Sequence, residues 1–300
     1  MMTQFLLFRK TQTGWKEEPI EKMMNDTITN IGSSILQQGK HNDRIYLMKL
    51  SNDDLPVITD RLDRLALAEK YSKIIAKVPG FAKDKFTENG YIVEASIPGF
   101  YNCSEDVYFM GKYFTESRMC SYNYGKIKEI LKTAVLKSSE ERTAKIVPGF
   151  HYRICGKSDV DRIAGVYKKS FETYPFPIKD PMYIAKTMDE NFIYFSIRRN
   201  NKIVALSSTE IDAGFKNVEM TDFATLPEYR GNGLAAYLLH NMESEMRRRN
   251  MEVAYTIARA VSHGINNIFA KMGYIYGGTL LNNTNIAGSF ESMNVWYKYL

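Results

Sequence analysis

Apolar and polar positions along this chain follow two periods, and the switches between them mark its elements. In the second half, "FIYFSIR" (192–198) and "KIVALSSTEI" (202–211) read as strands joined by Arg199-Asn200-Asn201, a hairpin-like turn. "NVEMTDFAT" (217–225) is a third consecutive strand. The period then lengthens: Leu234, Leu238, Met242 and Met246 recur at helical spacing within 234–249. "EVAYTIARA" (252–260) is a strand, "HGINNIFAKM" (263–272) a helix, and "YIYGGTLL" and "MNVWYKYL" are closing strands. Upstream, "HYRIC" (151–155) is a strand, and Ser158 or Asp159 caps a helix through "VDRIAGVYKKSFETY". A loop at 174–181 and a short helix to Met188 follow, so the predicted order is β-α-α-β-β-β-α-β-α-β-β.

The first half is shorter in pattern. Residues 1–40 are polar with weak periodicity and read as a lead-in or small cap. "NDRIYLMKL" (42–50) is a strand, "DDLPVITDRLDRLALAEKY" (53–71) an amphipathic helix and "KIIAKV" (73–78) a strand. A short helix ending near Asn89-Gly90 leads to strands at 91–97 and 106–114, giving β-α-β-α-β-β. A helix covers 124–139, and the charged stretch 140–149, closed by Pro-Gly, reads as a linker. The predicted organisation is therefore a lead-in (1–40), an N-terminal α/β domain (41–147) and a C-terminal domain (148–300).

The halves share a pattern. "FTENGYI" (86–92) matches "FAKMGYI" (269–275), and Glu105 with Lys112-Tyr113-Phe114 is spaced like Glu291 with Lys298-Tyr299-Leu300. Two matches in the same order suggest a diverged tandem repeat. Where the second half has "TLPEYRGNGLA", the first has "KLSNDDLP"; acids replace the glycines, so the first half should not hold a phosphate.

Composition narrows the function classes. No apolar run approaches the roughly 20 residues that cross a bilayer, and the N-terminus turns charged too soon for a secretory signal, so a cytoplasmic protein is expected, with no membrane partner. Cys103, Cys120 and Cys155 are odd in number, widely separated and without a CxxC pair; they predict ordinary thiols and no metal site. The net charge of +6 is modest. Its densest basic run, Arg247-Arg248-Arg249, falls at a helix end, where cations complement the dipole, so no nucleic-acid partner is expected.

The stretch "TLPEYRGNGLAAYLL" (225–239) carries the chemistry. A strand, a glycine-rich turn and a helix aim several backbone N–H groups and a helix dipole at one anion. Gly231 and Gly233 allow close approach, and Arg230 adds charge-assisted bonds to phosphate. A nucleoside triphosphate is disfavoured, because the lysine and hydroxyl of a Walker loop are missing. A nicotinamide dinucleotide is disfavoured too: Gly231-x-Gly233-x-x-Ala236 fits the loose fingerprint, but three antiparallel-looking strands precede it, and Glu252 opens its strand instead of ending it.

Arg-x-x-Gly-x-Ala after a strand resembles the signature loop of the GNAT superfamily of N-acetyltransferases, over residues 150–300. "MTDFATLPEYRGNGLAAYLL", "IARAVSHGINNIFAKMGYIYGGTLLNN", "ESMNVWYKYL", "YPFPI" and, in the first half, "IPGFYNCSEDVYFMGKYF" together resemble the β-lysine N-acetyltransferase family. The resemblance implies a mixed, mostly antiparallel GNAT-like sheet flanked by helices in the C-terminal part, and with the repeat it suggests a degenerate copy of that sheet in the N-terminal part. It implies acetyl-CoA as donor and transfer to the side-chain amine of β-lysine, giving a compatible solute for osmoadaptation, with lysine 2,3-aminomutase as pathway partner. In such a fold the strand before the loop splays from its neighbour, the backbone of Phe223, Ala224 and Thr225 pairs with the pantetheine arm, and Arg230, Gly231, Asn232, Gly233, Leu234 and Ala235 surround the pyrophosphate. Asn266 is placed among the coenzyme contacts. The N-terminal half is left as a support for the acceptor site, a homodimer surface or a regulator.

An ammonium with a pKa of ~10.4 must lose a proton before it can attack a thioester. Glu219 and Asp222, on the strand leading to the loop, are the candidate bases. Three positions apart, they should point to opposite faces, and Glu219 is favoured because it shares parity with Phe223 and Thr225. Many superfamily members place a tyrosine acid where this chain has Phe269. Either the thiolate leaves unaided or another group serves, with Ser262, His263 and Tyr274 nearby in sequence. For the acceptor, Glu291, Asn294 and Glu210 are candidates for the ammonium groups and Arg259 for the carboxylate, with Tyr174 and Phe176 in a stiff Tyr-Pro-Phe-Pro wall.

Overall fold

The central strands of the second half are apolar on a face that something must cover, and helices between them cover it. The computed structural model describes residues 26–137 and 148–300, together with the backbone of a hairpin, β1 (Leu6–Thr11) and β2 (Gly14–Pro19). The linker expected at 140–149 lies largely outside the described residues, as does most of the first 25. The first half runs β3 (Thr27–Ile31), β4 (Ser34–Gly39), β5 (Arg44–Lys49), α1 (Ile58–Glu69), β6 (Lys73–Pro79), α2 (Lys83–Glu88), β7 (Ile92–Tyr101) and β8 (Glu105–Tyr113). A connector carries α3 (Glu116–Met119) and α4 (Tyr124–Lys137). The second half is β9 (His151–Ile154), α5 (Val160–Ser170), α6 (Pro181–Glu190), β10 (Phe192–Arg199), β11 (Lys202–Asp212), β12 (Asn217–Thr225), α7 (Leu234–Arg248), β13 (Val253–Arg259), α8 (His263–Lys271), β14 (Ile275–Ile286) and β15 (Ser289–Tyr299).

The element order of the second half agrees with the pattern in its sequence. The first half holds two strands that the pattern did not predict. β3 and β4 fall where the polar stretch suggested a lead-in, yet they pair with one another and β4 pairs with β5. Their apolar positions are few, but Leu36 is fully buried.

Thirteen strands form one sheet in the order β3-β4-β5-β6-β8-β7-β14-β15-β13-β12-β11-β10-β9. The connectivity β3-β4-β5-α1-β6-α2-β7-β8 recurs as β10-β11-β12-α7-β13-α8-β14-β15, with β5 parallel to β6, β12 parallel to β13, and the other pairs antiparallel. The repeat reaches the side chains. Phe86 meets Tyr91 edge-on at 5.0 Å and Phe269 meets Tyr274 edge-on at 4.8 Å. Lys112 donates to the Asn89 carbonyl and lies over Tyr91, while Lys298 donates to the Met272 carbonyl and lies over Tyr274. Phe269 is thus one member of a repeated aromatic pair.

The halves meet where β7 pairs with β14 through Ala95 and Gly278. A Cβ on Gly278 would lie 2.3 Å from the Glu94 carbonyl oxygen, so only glycine fits. Beside the joint, Lys73 and Glu94 form a buried ion pair at 2.8 Å, and Lys73 also donates to the Leu281 carbonyl at 2.7 Å. The connector crosses over as well, for α4 lies on α8 and Ala134 joins the core of the second half.

In the first half no phosphate loop precedes α1. The Asp54 carboxylate fills that connection, accepting bonds from the Ser33 and Ser34 amides at 2.8 Å each and from the Ser34 hydroxyl at 2.7 Å. No helix among the described residues is long and apolar enough to cross a membrane.

Candidate active site

β12 pairs with β13 only through Asn217, Val218 and Glu219. Beyond Glu219 the two strands separate, as the resemblance predicts, and their free edges border a cavity of about 810 Å³. At its rim β12 passes through a 3₁₀ turn (Pro227–Tyr229) into the glycine loop and α7. Gly231 and Gly233 have φ of +82° and +70°, and a Cβ on either would meet no atom within 4 Å. Both glycines therefore serve the turn and the open space before it, not the packing of the protein. The first intrahelical bond runs from the Tyr237 N–H to the Gly233 carbonyl, so the amides of Leu234, Ala235 and Ala236 have no partner in the helix. Asn232 braces the turn by donating to the Tyr229 carbonyl at 3.0 Å, and Arg230 donates to the Thr225 carbonyl at 3.3 Å. The side chain of Leu234 is buried in the core, so this residue presents backbone alone. A cleft edged by unpaired strand, ending at an exposed helix N-terminus, fits a long ligand with a pyrophosphate near one end.

Phe223, Ala224, Thr225 and Arg230 border the cavity. So do Glu219 and Asp222, and this corrects the expectation that only one of them could. Asp222 and Phe223 together oppose Ser207 in a β-bulge, flanked by the pairs Leu206–Ala224 and Ser208–Thr221. The extra residue reverses the alternation, so Glu219 does not share parity with Phe223. Phe223 instead turns to the core, edge-on to Phe269 at 5.5 Å. Asp222 takes φ +56°, a left-handed conformation that aspartate tolerates better than most residues. Its carboxylate accepts from the Tyr174 and Ser208 hydroxyls and, at 3.4 Å, from Thr221.

A third acid completes the wall. Glu210 lies opposite Glu219 across the β11–β12 pair and also lines the cavity. Burial first, then the charge of Glu210, push Glu219 up to about 8, against the opposing pull of Lys77. Burial also raises Glu210 and Asp222, the latter against its three hydroxyl donors. Arg44, Tyr46 and Met48 of β5 and Lys77 of β6 form part of the lining. The sequence reading missed these residues because they lie in the other half of the chain; only the alternation that puts 44, 46 and 48 on one strand face could have grouped them.

Tyr174 and Phe176 line the cavity, and the N-terminal half holds their loop: Gln37 donates to the Pro175 carbonyl at 3.0 Å. Three other expectations are corrected. Asn266 is fully buried, donating to the Arg259 and Ser262 carbonyls and accepting from Asn294 at 2.8 Å and Trp296 at 2.9 Å. It knits the start of α8 to β13 and β15 and leaves no group for a coenzyme. Asn294, equally buried, is spent between Asn266 and the Thr279 hydroxyl at 2.7 Å, and does not reach the cavity. Glu291 is not free for an ammonium either, because it grips Arg259 through two bonds of 2.8 and 2.6 Å. Arg259 borders the cavity already neutralised. Tyr274 is likewise buried away from it, its ring against Phe269, whereas Ser262 lies on the lining.

Comparison with known proteins agrees with this geometry. Residues 163–274 match the Acetyltransferase (GNAT) family. A β-lysine N(6)-acetyltransferase of Methanococcus maripaludis is 46% identical over 91% of this chain and 98% of its own. The N-acetyltransferase YodP of Bacillus subtilis is 32% identical over 89% of this chain and 96% of its own. A β-lysine N(6)-acetyltransferase of Methanosarcina mazei is 32% identical over 81% of this chain and 97% of its own. The chain belongs to the GNAT acetyltransferase family, as an acetyl-CoA-dependent N-acetyltransferase that groups with the β-lysine N(6)-acetyltransferases.

Proposed function

We propose that the protein transfers acetyl from acetyl-CoA to the N6 amine of β-lysine, with Glu219 as general base. The observation that carries this reading is the wall of three carboxylates, Glu210, Glu219 and Asp222, beside the gap between β12 and β13. A diammonium acceptor suits such a wall, because two cations offset buried like charges that otherwise repel. The names of the two β-lysine N(6)-acetyltransferase relatives supply the particular diamine.

In this reading the pantetheine arm lies along the free edge of β12, and its pyrophosphate meets the loop amides and Arg230. An acceptor ammonium entering between Glu219 and Glu210 lowers the pKa of Glu219, so the carboxylate ionises as the substrate binds. Glu219 takes one ammonium proton, the nitrogen attacks the thioester carbonyl, backbone N–H groups near the bulge stabilise the oxyanion, and the second nitrogen proton passes to the departing thiolate or solvent as the C–S bond breaks. Asp222, engaged by Tyr174, Ser208 and Thr221, has fewer free lone pairs and holds the bulge in place. Phe269 donates no proton, and the thiolate leaves at its own modest basicity. The product carries one ammonium and one carboxylate. This zwitterion without net charge suits accumulation as a compatible solute, supplied by a reaction of the lysine 2,3-aminomutase type.

The test is thiol release from acetyl-CoA with β-lysine, lysine and spermidine offered separately, followed by mass analysis of the product. A strong preference for β-lysine, with acetyl on N6, supports the reading. Equal or greater turnover of spermidine overturns it.

A further inference from the structure

Four cations are buried among the described residues: Arg44, Lys73, Arg118 and Arg198. Three have a carboxylate within 4 Å, namely Glu94 for Lys73, Asp43 for Arg118 and Asp159 for Arg198. Arg44 has none among the described residues, although it is only 4% exposed. Its guanidinium donates to the Asn283 carbonyl, to Thr284 Oγ1 at 3.4 Å and to Gln37 Oε1 at 3.4 Å, while Nε is buried without a partner. Burial outweighs the charges of Asp26 and Glu94, which act on it only from beyond 4 Å; a buried cation so weakly countered is costly, and its fork of N–H donors matches a planar carboxylate. Arg44 borders the same cavity as the three acids.

We propose that Arg44, from the N-terminal half, is the receptor for the carboxylate of the acceptor amino acid. Arg44 and Tyr46 are successive inward positions of β5, roughly 7 Å apart along the strand. The charges of Glu219 and Glu210 act on Tyr46, whereas the carboxylates acting on Arg44 are Asp26 and Glu94. The Arg44 guanidinium lies over the Tyr46 ring, 5.5 Å from its centroid, so a fork for a carboxylate and the acids for an ammonium share one cavity. The four other cations of the lining are committed: Arg259 to Glu291, Lys186 to Glu190, Lys77 to the combined charge of Glu210 and Glu219, and Arg230 to the glycine loop, where it donates to the Thr225 carbonyl. The N-terminal half, with no phosphate loop of its own, thereby reads the end of the substrate that the catalytic half does not.

This inference rests on the acceptor being a free amino acid, and the experiment separates the two claims. Wild type, Arg44→Gln and Arg44→Lys are assayed with β-lysine and with its carboxamide, alongside the KM for acetyl-CoA and the melting temperature. The wild type is expected to show a KM for the amide roughly 100-fold above that for the acid. Arg44→Gln should raise the KM for the acid by a similar factor, leave that for the amide within about threefold, and so abolish the discrimination; Arg44→Lys should retain part of it. Equal losses for acid and amide in Arg44→Gln assign the residue a purely structural role and overturn the proposal. Should Arg44→Gln not fold, equal KM values for acid and amide in the wild type do the same while leaving β-lysine as the acceptor. A wild type that turns over spermidine but neither β-lysine nor its amide removes the proposed function itself, and the carboxylate receptor with it.

Discussion

Glu210 and Glu219 face one another across β11 and β12 as a directly opposed pair of like charges, and both look into the cavity. Such a pair weakens a sheet unless cations offset it, as Lys77 does in part. Because Glu219 is held up to about 8, the free enzyme carries it mostly protonated at neutral pH. The value of kcat/KM, which reports the free enzyme, should therefore climb with pH, pass its midpoint near 8 and level off above it. Glu219→Gln should cost about 100- to 10,000-fold at pH 7 and less at pH 10, where free amine is abundant. An unchanged pH profile in this variant would rule out the base.

The same shift makes a stability prediction. Folded Glu219 keeps a proton that the unfolded chain releases in the ordinary carboxylate range, so its contribution is intact below that range and lost as pH rises to about 8. Glu219→Gln cannot ionise. Its melting temperature should exceed that of the wild type at pH 8 to 9 and match it near pH 4; a uniform difference at every pH would contradict the buried, raised carboxyl.

Asp222 combines a left-handed backbone with three hydroxyl donors, and the two features respond to different substitutions. Asp222→Asn tolerates the positive φ and keeps one acceptor, so it should lose about tenfold in kcat. Asp222→Val has neither property; it should lose on the order of 100-fold and about 2 to 4 kcal/mol in denaturant unfolding. If Asn and Val prove equally damaging, the carboxylate itself takes part in the chemistry and the bulge does not explain its place.

The residues that could be read from the sequence are those whose role is local. The strand-loop-helix at 225–239 is legible because glycine, arginine and helical spacing are contiguous, and Phe86 with Phe269 betrays the repeat because each sits in a short matching string. The bulge at Asp222 leaves no such trace, since one inserted residue changes parity without changing residue type. Asn266 and Asn294 misled for the opposite reason: a buried asparagine tying three elements together has the same composition as one that binds a ligand. Arg44 and Lys77 could not be grouped with Glu219 from spacing at all, because the pairing of β7 with β14 creates that neighbourhood.

At the glycine loop the demand is on backbone, and substitution should tell binding from folding. Gly231 and Gly233 face open space, so a side chain there clashes with nothing in the protein but must adopt positive φ, at about 1 to 2 kcal/mol. Gly233→Val should raise the KM for acetyl-CoA at least tenfold and leave the KM for the amine within about threefold. A variant that harms both equally would place the loop outside coenzyme binding.

The joint between the halves makes the last prediction. Glu94 accepts from Lys73, from the Tyr113 hydroxyl and from the Leu281 amide at 2.9 Å, so one carboxylate ties β6, β7, β8 and β14 together. Lys73→Met strands that charge in a dry site and should cost about 3 to 5 kcal/mol. Adding Glu94→Gln removes the charge while keeping an oxygen for Leu281 and Tyr113, so the double variant should regain at least half of the loss. Urea unfolding checks this, with acetyl transfer followed in parallel. Because Arg44, Tyr46 and Lys77 reach the cavity only while this joint holds, activity in Lys73→Met should fall at the same urea concentration as structure. Acetyl transfer outlasting the unfolding of the first half would show that the catalytic half works alone, and that the shared cavity is not needed for turnover.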